Sequence, residues 1–473
     1  MMPRGSADVR GEQLAALETE YHGLLTAPRI TRLLDRAQAN AQGLADWQVA
    51  NLREMRRQRD HAIATPVTLI SRLTKVASRA EARWLEARQQ GKFEIFAPHL
   101  EEVVHLVRDK SALLGQALNL APYDALVDEF SPGITTADID AMFKSLSRRL
   151  PSLIREAIAL QDHRPPDPLT GKFPSVKQRA LVIEVMKAVG FPFERGRLDE
   201  SEHPFTEGVS GDIRVTTRFD LNDIFSGLLG ALHETGHAMY DLGLPQDWRD
   251  QPVGRDRGMA LEESQSLLFE MIVCRSRPFV RYVQPLLLKH FGVSGPEWDK
   301  ENIYAHLTRV KRGLIRVDAD ELTYPLHIML RYELEKQLLN GELAVRDLPE
   351  AWNAGMEQRL GIRPSNDVEG CLQDIHWAVG SFGYFPSYAL GAVIAAQLFE
   401  SMRADVPALD EQLAVGEFSG LLGWLRTHVH GLGAKVPIQD LLREATGKPV
   451  SATSFIRYVE AKYLEHIESS VAA

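Results

Sequence analysis

Cysteine is nearly absent, with only Cys274 and Cys371 in 473 residues. That excludes a disulfide framework and a thiolate-rich zinc site, and it suits a reducing compartment. Both thiols are expected in the core. Long apolar runs are missing too. The opening stretch, MMPRGSADVRGEQLAALE, holds no apolar segment of signal-peptide length, and the most apolar segment, 388–399, is too short to span a bilayer. Positive charge is in deficit, at a net −10, which removes the basic footprint of nucleic-acid or anionic-membrane binding. Low-complexity tracts are absent, and strand-like alternation is scarce. The expectation is a soluble, cytoplasmic protein that acts on small molecules or peptides, with no nucleic acid and no membrane as partner.

What is present is an ordinary globular composition, 44% hydrophobic and 25% charged, ample for a large core. Helical periodicity dominates. Thr65 and Pro66 read as a cap and a first-turn proline ahead of an apolar stripe at Leu69, Leu73, Val76, Ala80 and Trp84. Segments 14–25, 30–41, 47–63, 100–114 and 137–160 repeat the pattern, so the fold class is mainly α. The Pro-rich stretch DHRPPDPLTGKFPS, 162–175, interrupts the helices and marks a lobe boundary or a long surface loop. The chain is expected to form one domain over 1–473, with approximate lobes 1–175 and 176–473. The clearest strand is GDIRVTTR, 211–218, with Asp212, Arg214 and Thr216 on one side and Ile213 and Val215 on the other.

The chemistry concentrates in LLGALHETGHAMYD, 228–241. Residues four apart on a helix share a face, so His233 and His237 can reach one ion. Glu234, beside the first of them, can take a proton from a water activated there. The helix is expected over 221–241, with Asp220 a possible cap. A third ligand must come from elsewhere. A second helical pattern from Met259 offers Glu262, Glu263 and Glu270, any of which could complete a set of three protein ligands with one open position.

Six motifs in order then resemble one family. They are His203-Pro204-Phe205, the Asp-x-Arg-x-Thr of Asp212, Arg214 and Thr216, the His233–His237 motif, Glu263-Ser264-Gln265, the segment IRVDAD from Ile315 to Asp320, and GCLQDIHW from Gly370 to Trp377. Together they are similar to the carboxypeptidase Taq family of metallocarboxypeptidases. The resemblance implies a large helical metallopeptidase fold with a deep central groove and a few short strands, akin to angiotensin-converting enzyme and neurolysin-like peptidases. It also implies a homodimer that removes single residues from the free C-termini of peptides with Zn2+ or Co2+.

Carried over by position, His233, His237 and Glu263 are the metal ligands and Glu234 the general base. His376 and Tyr384 are the oxyanion donors. One departure stands out, because the family usually has histidine where this chain has Glu262. Neighbouring helix positions point about 100° apart, so Glu262 and Glu263 are not both ligands. Glu262 either tunes the centre or points away from it. An exopeptidase must also grip an α-carboxylate, for which a guanidinium is the natural bidentate partner. Arg363 is the first choice. Arg214 is the second, and with His203 it could instead close the groove. A helical oligoendopeptidase, a dipeptidyl carboxypeptidase and a non-catalytic binding homologue are the competing readings. Segment 388–399 is expected as a buried helix, and 454–466 as either a cap on the fold or part of a dimer contact.

Overall fold

The computed structural model describes residues 6–209 and 211–465. Among them, nineteen α-helices and a single three-stranded sheet make the fold mainly α. Two compact units interleave along the chain. The first comprises residues up to Phe143, Arg312–Ala319 and Thr323–Pro386; the second comprises Lys144–Lys311, Asp320–Leu322 and the chain from Ser387.

In the first unit the expected stripe lies on helix Val67–Gln90, where Val76, Ala80 and Trp84 are buried. Thr65 is not its cap: Pro66 holds that position without a side-chain bond, and Thr65 is buried instead. Helix Tyr324–Asn340 is buried on nearly every face, including Arg331 and Glu335. Buried charge needs partners, and here it has them. Arg331 Nε donates to Asp374 Oδ2 at 2.7 Å, while Arg316 Nε and Nη2 donate to Asp374 Oδ1 at 3.0 and 2.9 Å. Glu335 accepts from Tyr123 Oη at 2.6 Å, Trp377 Nε1 at 2.9 Å and the Gly383 amide at 2.9 Å. It thereby ties down both ends of the segment between Trp377 and Gly383.

The second unit contains the sheet, β1 (Gly196–Glu200), β2 (Thr206–Val209) and β3 (Asp212–Thr217). The strand order is β1-β3-β2, with β3 parallel to β1 and antiparallel to β2. The period-two pattern holds at Ile213 and Val215, which face the core, while Asp212 and Arg214 are exposed. Thr216 is buried rather than outward, because its hydroxyl accepts from the Phe205 amide at 3.0 Å and from Ser201 Oγ at 2.7 Å.

The histidine helix spans Ile224–Gly243. Asp223, not Asp220, caps it, accepting from the amides of Phe225 at 2.9 Å and Ser226 at 3.2 Å. Asp220 instead turns the chain before it, accepting from the Asn222 amide at 2.7 Å.

Two glycines set how closely the next helix, Met259–Leu267, is clasped. A Cβ on Gly236 would lie 2.6 Å from Ser266 Cα, and one on Gly391 would lie 2.7 Å from Glu263 Cβ. Only glycine permits backbones to approach this closely. The helix bearing Glu263 is therefore held between the histidine helix on one side and helix Pro386–Asp405 on the other. Residues 389–399 of the latter are buried throughout, as 388–399 was expected to be. Helix Ala452–Glu460 buries Phe455 and Val459, and Tyr463 beyond it is also buried, so this segment caps its unit. The last residue of the expected 454–466 stretch, His466, lies outside the described residues.

Candidate metal centre

The histidine helix delivers both imidazoles to one place. The ring centroids of His233 and His237 are 5.1 Å apart, and each Nε2 lies 3.8 Å from Glu263 Oε2. One donor atom from each of the three residues lies within 4.8 Å of the other two. Donors 2.0–2.2 Å from a tetrahedral ion stand roughly 3.3–3.6 Å apart, so each histidine–Glu263 separation of 3.8 Å is within a few tenths of an ångström of a coordination distance.

The backs of both rings are engaged as well. His233 Nδ1 meets Glu270 Oε2 at 2.9 Å, and His237 Nδ1 faces Glu262 Oε1 at 3.4 Å. Glu270 hydrogen-bonds to the His233 ring and so orients it, whereas Glu262 makes no hydrogen bond to His237 Nδ1 and acts on that ring through its charge. Among the three glutamates, Glu263 faces both Nε2 atoms, while Glu262 and Glu270 stand behind the rings. Glu262 does not point away.

Burial opposes a charge on His237, but Glu262 and Glu263 outweigh it and push its pKa up to about 9. Burial likewise opposes charge on His233, yet Glu270 and Glu234 raise it. Glu263 is raised by burial, against the pull of the two histidines. Glu270 is held at about 2: burial would raise it, but His233 and Arg275 overcome that. A buried pocket with this excess of carboxylate attracts cations, and two imidazole nitrogens with one carboxylate oxygen fit a divalent metal.

Glu234 is buried beside His233, and the Thr206 hydroxyl stands 2.8 Å from both its Oε2 and its backbone carbonyl. Thr206 was not singled out in the sequence. Its only signal is that it follows His203-Pro204-Phe205 directly.

His203 is exposed, and Arg214 forms a fork on Asp212, at 3.1 and 2.8 Å, on the outer face of β3. His376, Tyr384 and Arg363 belong to the first unit. His376 packs 4.4 Å from the Phe385 ring and 5.3 Å from that of Tyr384, which in turn meets Phe130 edge-on at 5.1 Å. Burial lowers the His376 pKa to about 3, with Asp374 opposing and Arg316 and Arg331 reinforcing, so its ring is neutral. Arg363 is half-exposed and pairs with Glu350 at 2.6 Å and Glu357 at 3.3 Å.

Comparison with known proteins agrees with this architecture. The profile of the carboxypeptidase Taq (M32) metallopeptidases matches residues 1–463. Thermostable carboxypeptidase 1 of Thermus thermophilus is 36% identical over 475 residues, covering 98% of this chain and 92% of the relative. Carboxypeptidase 1 of Bacillus subtilis is 34% identical over 462 residues, with the same coverages of 98% and 92%. The solved structure of Trypanosoma cruzi metallocarboxypeptidase 1 superimposes with a TM-score of 0.93 at 37% identity, covering 98% of this chain and 94% of that one. The chain belongs to the carboxypeptidase Taq family of metallopeptidases and is a metallocarboxypeptidase, a peptide hydrolase.

Proposed function

We propose that the whole chain acts as one catalytic domain that releases single amino acids from the free C-termini of peptides. His233, His237 and Glu263 hold Zn2+, or Co2+ in its place, and Glu234 is the general base. The observation that supports this most is the convergence of both Nε2 atoms on Glu263 Oε2 at 3.8 Å. A divalent metal bound there supplies Lewis acidity to water and to the scissile carbonyl.

The chain's own residues do the rest. Glu234, steadied by Thr206, takes the proton of the attacking water at its carboxylate and returns it to the leaving amine. His376, neutral, and Tyr384 donate hydrogen bonds to the oxyanion. Arg363 anchors the substrate carboxylate, with Arg214 as second choice and His203 acting beside it. Each guanidinium exchanges an exposed intrachain carboxylate for that of the substrate, and exposed pairs of this kind are worth only about 0–1 kcal/mol.

The cytoplasm is the proposed location, in keeping with two buried cysteines that form no disulfide. A homodimer is the proposed assembly, supported by four large apolar side chains, Val9, Leu17, Tyr21 and Leu24, exposed on helix Ala7–Thr26.

The test is mass spectrometry of products from peptides with free and amidated C-termini, with and without chelator. Stepwise loss of single residues, from the free acid and only without chelator, is expected. Internal fragments, dipeptide steps or equal rates on the amidated peptide would contradict the reading.

A further inference from the structure

The Glu263 helix does not continue as a regular α-helix. Over Leu268–Val273 it winds as a π-helical turn, after which the Cys274 amide donates to the Phe269 carbonyl at 2.8 Å. A π turn accommodates an extra residue and rotates the chain beyond it, and it is found often at functional sites. Here it carries Glu270, the carboxylate behind His233.

Such a turn needs support, and it arrives from the far end of the sequence. Lys462, on the segment Ala461–Glu465, donates from Nζ to the Met271 carbonyl at 3.2 Å and to Glu321 Oε2 at 2.7 Å. Glu321, only 2% exposed, also accepts from Tyr458 Oη at 2.7 Å and Tyr463 Oη at 2.5 Å. Arg275 completes the path, since it bonds to Glu270 Oε1 at 2.8 Å and is electrostatically coupled to Glu321.

We propose that Lys462 and Glu321 are positioning residues for the metal centre: they pin the π turn so that Glu270 holds His233 with Nε2 toward Glu263. This rests on His233 being a metal ligand. The competing possibility is a buried ion pair that merely clamps the C-terminal segment. Removing Lys462 separates the two. Without Lys462 the Met271 carbonyl in the turn loses its ammonium donor, and the hold on the turn that carries Glu270 is lost with it. A clamp would change unfolding alone; a positioning pair changes the metal's surroundings.

The experiment uses the full-length protein loaded with Co2+ and compares wild type, Lys462→Met and Lys462→Arg. It reads the cobalt absorption bands and the Co2+ affinity by competition with a chelator. Loss of an outer partner of a ligand lowers affinity by about 10–100-fold, and Lys462→Met is expected near the lower figure, with shifted bands. Lys462→Arg restores both. A folded Lys462→Met protein with wild-type bands and affinity overturns the proposal.

If Lys462→Met does not fold, the paired exchange Glu321→Gln with Lys462→Gln decides, because it removes both charges and leaves neither unpaired. Its expected result is the same loss of affinity, and unchanged bands and affinity overturn the proposal. Failure of wild type to bind Co2+ is a separate outcome, which removes the ligand assignment and this inference with it.

Discussion

His237 and His376 are both buried histidines, yet their surroundings drive them in opposite directions. Around His237, Glu262 and Glu263 overcome the penalty of burial and take the ring up to about 9. Around His376, burial acts with Arg316 and Arg331 against the single carboxylate of Asp374, and the ring falls to about 3. Burial alone would lower both. What separates them is the sign of the charge that each unit packs against its histidine. One region is a negative pocket suited to a cation, and the other keeps a neutral ring that can give or accept one hydrogen bond. That contrast can be broken at either end, and the proposed roles of metal ligand and oxyanion donor stand or fall with it.

The largest expected effect comes from Glu234→Gln. Turnover should fall by about 10²–10⁴-fold with the metal retained at one ion per chain, as read by rate assays beside elemental analysis. Loss of the metal together with the rate would mean that Glu234 serves binding instead. Next is His376→Gln, for which kcat should drop by about 10²–10³-fold with little change in metal content. A change confined to KM would place His376 in ground-state binding. Glu270→Gln acts on the other region and should weaken metal affinity by about 10–100-fold, measured by chelator competition. Equal affinity would show that the 2.9 Å contact to His233 does not tune the ligand.

The smallest effect tests the frame of the His376 region. Burial raises Glu335 to about 7, against the three hydrogen bonds that favour its ionised form. Its folded pKa is above the unfolded value of about 4.3, so its stabilising contribution is full below that pH and is lost as pH rises through about 7. Relative to Glu335→Gln, wild type should therefore lose thermal stability between about pH 4.5 and 7.5, by on the order of a few °C in Tm. A Tm difference that does not vary with pH would contradict the raised value.

Much of the candidate metal centre's geometry was legible because helical periodicity is rigid. Two histidines four apart must share a face, and Glu263 must lie about 100° around from Glu262. The roles of Glu262 and Glu270 were not legible. Glu270 reaches His233 from a π turn, and sequence spacing assumes regular α-helix there. Thr206 reaches Glu234 from a strand 28 positions away, a contact set by the packing of the sheet on the helix.

The same limit applies at the cap. Asp220 and Asp223 are alike in local pattern, and the chain's approach to the helix selects the second. The interleaving of the two units has no local signature either, since helices Tyr324–Asn340 and Leu348–Leu360 of the first unit are helices of the same kind as those of the second. Segment 454–466 shows the converse. Its amphipathic stripe was plain, and only the burial of Phe455, Val459 and Tyr463 reveals that the stripe closes the unit's own core.

The most direct test of the central claim is a zinc-soaked crystal measured on both sides of the zinc absorption edge. The account predicts one strong anomalous peak bounded by His233 Nε2, His237 Nε2 and a Glu263 carboxylate oxygen, with Glu262 and Glu270 behind the rings and off the metal. A peak ligated by Glu262 or Glu270 in place of Glu263, or no peak between the two histidines, would contradict it.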